Sequence, residues 1–116
     1  MSKARKKLTK EIKVERSSGN VFADLGLPNP EERLAKAELA SEICELISAA
    51  GLTQIEAAKK LGVDQPKVSL LMRGRLKDFS TERLMRFIVL LGCDVVIGIQ
   101  KPQDKRNPAM RVLTAV

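Results

Sequence analysis

The chain has 116 residues, 44% of them apolar, and its 21 basic and 14 acidic groups leave a net charge of +7. That length sets one domain, and the charge favours polyanionic partners, nucleic acid ahead of an anionic membrane surface. With no histidine and only Cys44 and Cys93, far apart, a zinc finger, a disulfide framework and a histidine-based triad are excluded.

The first stretch, residues 1–16, holds seven basic and two acidic groups and lacks apolar periodicity. It is expected to be a flexible basic tail. It is basic with no apolar core behind it, so it is not read as a signal peptide. Three uses of the tail stay open: a phosphate or minor-groove arm, a segment that wraps a protein partner, or a solubilising end. Residues 17–50 reverse the charge, with six acidic against two basic groups. Their opening, SSGNVFADLGLPNP, is rich in turn formers, with Val21, Phe22, Leu25 and Leu27 available to dock on a core.

Four helices are expected next. The first has Asn29 as N-cap, Pro30 in its first turn and Glu32 to close a capping box. Leu39, Ile43, Leu46, Ile47 and Ala50 share one face, and Gly51 suits the left-handed stop. The second opens with the capping box of Thr53 and Glu56 and ends at Gly62. In the third Asp64 caps, Pro66 is tolerated in the first turn, and Gly74 ends it. In the fourth Ser80 caps, Phe79 and Leu84 form a hydrophobic staple, and Gly92 stops it. Then DVVIGIQ, residues 94–100, reads as one short strand between Gly92 and Pro102. A lone strand needs a ladder partner, either the chain's N-terminal segment or a second copy of the chain. Residues 101–116, with Pro102, Pro108 and scattered charges, are expected to form a weakly ordered tail. The core domain is thus 17–100.

The second and third helices are joined by a turn short enough for a crossed pair. Ala58 permits close approach, and Gly62 supplies the positive φ of a tight turn. Leu61, Val63, Val68 and Leu71 point inward, leaving Gln65, Lys67, Ser69, Leu70 and Arg73 on the outer side. A polar, basic helix held off its domain by a packed partner fits the major groove of DNA. Glutamine can pair bidentately with adenine, lysine with the acceptor edge of guanine, and Leu70 can meet a thymine methyl. Arg73, Arg75 and Lys77 suit phosphates at the groove edge, and Gln54, near a helix N-terminus, suits another. An ordinary helical hairpin with a solvated charged face is the alternative.

These residues resemble the Xre (Cro/CI-like) helix-turn-helix family, through Gln54, Ala58, Gly62, Gln65, Val68, Leu71 and Gly74 in the pattern LTQ–EAA–LG–Q–VS–L–RG. The resemblance covers Ala35 to Leu91. It implies a mainly α, lambda-repressor-like bundle of four to five helices, to which the residues themselves add one short C-terminal β-strand, placed either at a dimer interface or against the chain's own N-terminal segment. It also implies a dimeric repressor whose base-reading positions fall on Gln65, Pro66, Lys67 and Leu70. Phage-type members usually carry a polar residue where Pro66 stands. The flanks, SSGNVFADLGLPNPEERLAKAELA and FSTERLMRFIVLLGCDVVIGI, are similar to a subgroup of small Xre regulators that includes HigA-like antitoxins. Such a relationship implies, less specifically, a RelE/HigB-like toxin as partner and repression of the protein's own operon.

Three functions are weighed. The first is a sequence-specific regulator that binds double-stranded DNA as a homodimer, on an inverted repeat. Dimer contacts are expected from Leu84, Phe87, Ile88 and Leu91 with Val95, Ile97 and Ile99. The second is a protein-binding antitoxin with DNA binding secondary, using Glu38, Glu42 and Glu45 on one face of the first helix to dock a cationic toxin. The alternative reading of that acidic face is a solvated surface that supports the helix. The third, an enzyme, finds no paired carboxylates by a glycine-rich loop, no nucleophile elbow and no metal-ligand spacing. No catalysis, cofactor, metal or membrane association is expected, and two reduced cysteines fit a cytoplasmic location.

Overall fold

The computed structural model describes residues 25–102 and 108–115, together with the backbone of residues 12–13. Four helices form the body: α1 (Pro30–Ala49), α2 (Gln54–Leu61), α3 (Gln65–Met72) and α4 (Thr81–Leu90). Two short strands, β1 (Ile12–Lys13) and β2 (Thr114–Ala115), pair antiparallel, Ile12 opposite Ala115 and Lys13 opposite Thr114.

The core lies where α1 packs against α4 and α3, with α2 closing it through its contacts to α3 and α4. Leu39, Ile43 and Ile47 recur at helical spacing along α1 and share one buried cluster with Ala57, Ala58 and Leu61 of α2, Val68 and Leu71 of α3, and Leu84, Phe87 and Ile88 of α4. The expected face of α1 is therefore present, except that Ala50 lies outside on the exposed C-cap. Phe79 is buried ahead of α4 as the staple to Leu84, and meets Phe87 edge to face, with ring centroids 6.1 Å apart. The Arg83 guanidinium lies 5.4 Å from the Phe79 centroid and 5.5 Å from that of Phe87, where the negative faces of the rings attract it.

Local chemistry sets the helix ends. Thr53 Oγ1 accepts from the Glu56 N–H at 3.1 Å while the Glu56 carboxylate accepts from the Thr53 N–H at 2.9 Å. The reciprocal box satisfies two otherwise orphaned donors. The Thr53 backbone N–H first, and the Thr53 side chain second, stabilise the ionised form and lower the Glu56 pKa. Thr53→Ala is expected to cost about 1 kcal/mol, read as a fall of several degrees in Tm with the helical circular dichroism retained. Ser80 Oγ likewise accepts from the Arg83 N–H.

All four helices close alike, the residue after a glycine donating back to the carbonyl five residues earlier: Leu52 to Ile47, Val63 to Ala58, Arg75 to Leu70 and Cys93 to Ile88. This is the Schellman closure. At Gly62 φ is +72°, a value that L side chains rarely adopt.

Several expectations are corrected. Asn29 stands at the N-cap position but makes no side-chain capping bond, because it is left-handed, with φ 52° and ψ 53°. It precedes a proline, which disfavours the right-handed helical region, and asparagine tolerates the left-handed one. Glu32 pairs instead with Lys36 at 3.5 Å. Asp64 occupies the N-cap of α3 without a side-chain bond. Leu25, expected to dock, is exposed. Val21, Phe22 and the basic tail lie outside the described residues, save the backbone of Ile12–Lys13.

The largest correction concerns 94–100, which forms no strand. A strand is defined by its ladder, and the described N-terminal backbone pairs with Thr114–Ala115 instead. Val95 still packs against the core margin, as does Val112. Beyond it Val96, Ile97 and Ile99 are exposed, Ile99 at 98%.

Candidate nucleic-acid interface

The site is built by α2 and α3, which cross through Ala57, Ala58, Leu61, Val68 and Leu71, all buried. Small residues on α2 allow the close approach, and Gly62 reverses the chain so that α3 crosses α2 with one side packed into the core and the other facing outward. Inward-facing Val68 and Leu71 fix which side of α3 faces out. On that side Gln65, Pro66, Lys67 and Arg73 are exposed, while Ser69 and Leu70 are half-buried. Leu70 packs against the core, so only part of its side chain is offered to a base. Arg75 and Lys77 follow on the loop and are exposed.

Gln65 Nε2 donates to Gln54 Oε1 at 2.9 Å, joining the first residues of α3 and α2. The bond uses one of the two Nε2 hydrogens of Gln65. Its second hydrogen and its Oε1 keep the donor–acceptor pair that adenine requires. Gln54 in turn keeps its amide donors for a phosphate beside the α2 N-terminus. One amide thus orients the other, and both need be only half-engaged to do so. Pro66, second in α3, has no side-chain donor or acceptor and offers a base an apolar surface only. Arg73 caps α3, its Nε donating to the Ser69 carbonyl at 3.3 Å.

The residues expected at a dimer contact divide into two groups. Leu84, Phe87 and Ile88 are buried within this chain, and Leu91 is half-buried against the same core. Their apolar surface is taken up in this chain's own core. Ile97 and Ile99 are exposed, beside Val96, and the exposed apolar residues of α4 are Val89 and Leu90. On α1, Glu45 is exposed and Glu42 half-buried. Glu38 lines a small pocket with the Met110, Arg111, Val112 and Leu113 segment of the chain itself.

Sequence reasoning missed a groove of about 630 Å³ between α1 and the end of α3. Arg33, Lys36, Ala37, Ala40, Ser41 and Cys44 form its α1 wall, and residues 71–72 and 74–77 the other. The spacing of the α1 residues marks one helix face, but only the tertiary packing shows what stands opposite. Burial pushes the Cys44 thiol pKa up.

A helix-turn-helix domain family matches residues 21–100. Among solved structures, a chain provisionally described as an XRE-family transcriptional regulator is 42% identical and aligns with a TM-score of 0.71, covering 77% of this chain and 100% of its own. Comparison with curated proteins gives no match.

Proposed function

This chain belongs to the helix-turn-helix domain family and to the XRE regulators within it, and from that premise we propose a non-catalytic, cytoplasmic repressor that binds an inverted-repeat operator as a dimer. DNA binding and transcriptional regulation follow from the family. The observation that carries the assignment to this surface is the exposed start of α3, where Gln65 is held by Gln54 and Lys67 stands beside it.

The roles divide by chemistry. Gln65 and Lys67 read base edges, Pro66 and the exposed part of Leu70 add apolar contact, and Ser69 lies at the margin. Gln54, Arg73, Arg75 and Lys77 hold phosphates, which position the duplex without reading it. Lys67→Ala is expected to relax base preference, whereas Arg75→Ala weakens binding to all sequences alike and lowers the salt slope by about 1. Gel shifts on operator and random duplex across a salt series separate the two. Equal losses on both duplexes for Lys67→Ala would remove it from base reading.

The dimer rests on the segment at 94–100. Val96, Ile97 and Ile99 expose apolar surface, next to a backbone that has no ladder within the described residues. Pairing two copies antiparallel would satisfy the backbone and cover these side chains, together with Val89 and Leu90 of α4. A cationic toxin is the weaker candidate partner, because Glu38 already faces the chain's own C-terminal segment.

A further inference from the structure

We propose that the groove between α1 and the end of α3 receives a stretch of DNA backbone beyond the major-groove contact, held by Arg33 and Lys36 on one wall and Arg75 and Lys77 on the other. The inference rests on the DNA-binding reading above and extends it to two residues of α1. Four cations line the groove against one carboxylate, Glu32. Ala37, Ala40 and Gly74 leave the space between the walls open, because none carries a side chain large enough to fill it.

Continuity with α3 identifies the occupant. One wall runs from Leu71 and Met72 into the loop that follows, so it is the direct extension of the reading helix. Eight residues of helix span about 12 Å, close to the roughly 12 Å width of the major groove. A duplex seated on Gln65 and Lys67 therefore brings a phosphate strand to Arg75 and Lys77, and Arg33 and Lys36 face them across the cleft. The cations on α1 are already ordered. Arg33 Nε donates to the Pro28 carbonyl at 2.8 Å, which fixes the guanidinium and leaves its outer edge for a phosphate. Lys36 Nζ lies 3.5 Å from Glu32 Oε1, so an arriving phosphate competes with that carboxylate. Glu32 accordingly weakens binding, and its removal strengthens it.

The test is fluorescence anisotropy with a random-sequence duplex of about 30 base pairs, over a potassium chloride series, for the wild-type chain, R33Q/K36Q and E32Q. The double variant is expected to lower the slope of log K against log salt by about 1–2 and to weaken binding roughly ten-fold near 0.1 M salt. E32Q is expected to bind about two- to three-fold tighter, a change that partial unfolding cannot produce. Thermal melts check that each variant is folded. An unchanged slope for R33Q/K36Q with no tightening for E32Q, while the wild-type chain binds, overturns the groove and leaves the DNA-binding reading standing. That result would turn attention to an acidic protein segment as its occupant. A wild-type chain that binds no duplex overturns both.

Discussion

Ile43→Ala is expected to destabilise the fold by about 2–5 kcal/mol, the largest effect of any single truncation here. Ile43 is fully buried at the middle of α1. The core around it draws on all four helices, so the methyl groups lost leave a cavity that no single loop can collapse to fill. Small domains hold only about 5–15 kcal/mol in total, and the melting temperature should fall by roughly 10–30 °C. DNA binding should fall with the folded fraction and recover on cooling, since Ile43 is fully buried and offers a duplex no surface. A loss below about 1 kcal/mol would mean that α1 does not organise the core.

Ile97→Lys is expected to act in the opposite manner, sparing the fold and damaging operator binding. Ile97 is 74% exposed, so within one chain the lysine meets water and stability should move by no more than about 0.5 kcal/mol. On the proposed two-fold ribbon the same change sets two ammonium groups near one another and removes apolar burial. Losing the second reading helix forfeits an avidity of about 10²–10⁴. Affinity for an inverted repeat should fall by that order while affinity for a single half-site stays level. Sedimentation at micromolar concentration should move from dimer to monomer. A variant that sediments and binds as the wild-type chain does would place dimerisation elsewhere.

The helix-turn-helix was legible in the sequence because its determinants are local. The Thr53–Glu56 box needs residues three apart, Gly62 needs one backbone conformation, and Val68 and Leu71 need helical spacing alone. Features that depend on distant chain were not legible. Residues 94–100 have the composition of a strand, but a ladder requires a neighbour that composition does not name. Leu84, Phe87 and Ile88 have the pattern of an apolar face, and pattern does not say whether the face meets α1 or another molecule. Asn29 failed as a cap for a nearer reason, its place between Pro28 and Pro30. At the site, Gln65 and Lys67 could be placed on the outer side of α3, but the bond between Gln65 and Gln54 spans 11 residues and appears only once the helices cross. Arg33 and Lys36 are alike in this respect: ordinary charges in the first turns of a helix until the groove sets them opposite Arg75 and Lys77.

Selection of duplexes from a random pool by the wild-type chain at moderate salt tests most directly whether α3 reads sequence in a dimer. Enrichment of an inverted repeat is predicted, with half-sites centred about one helical turn, roughly 34 Å, apart, and with relaxed bases where Lys67→Ala is used. Recovery of no preferred sequence, with equal affinity for every duplex, would contradict it.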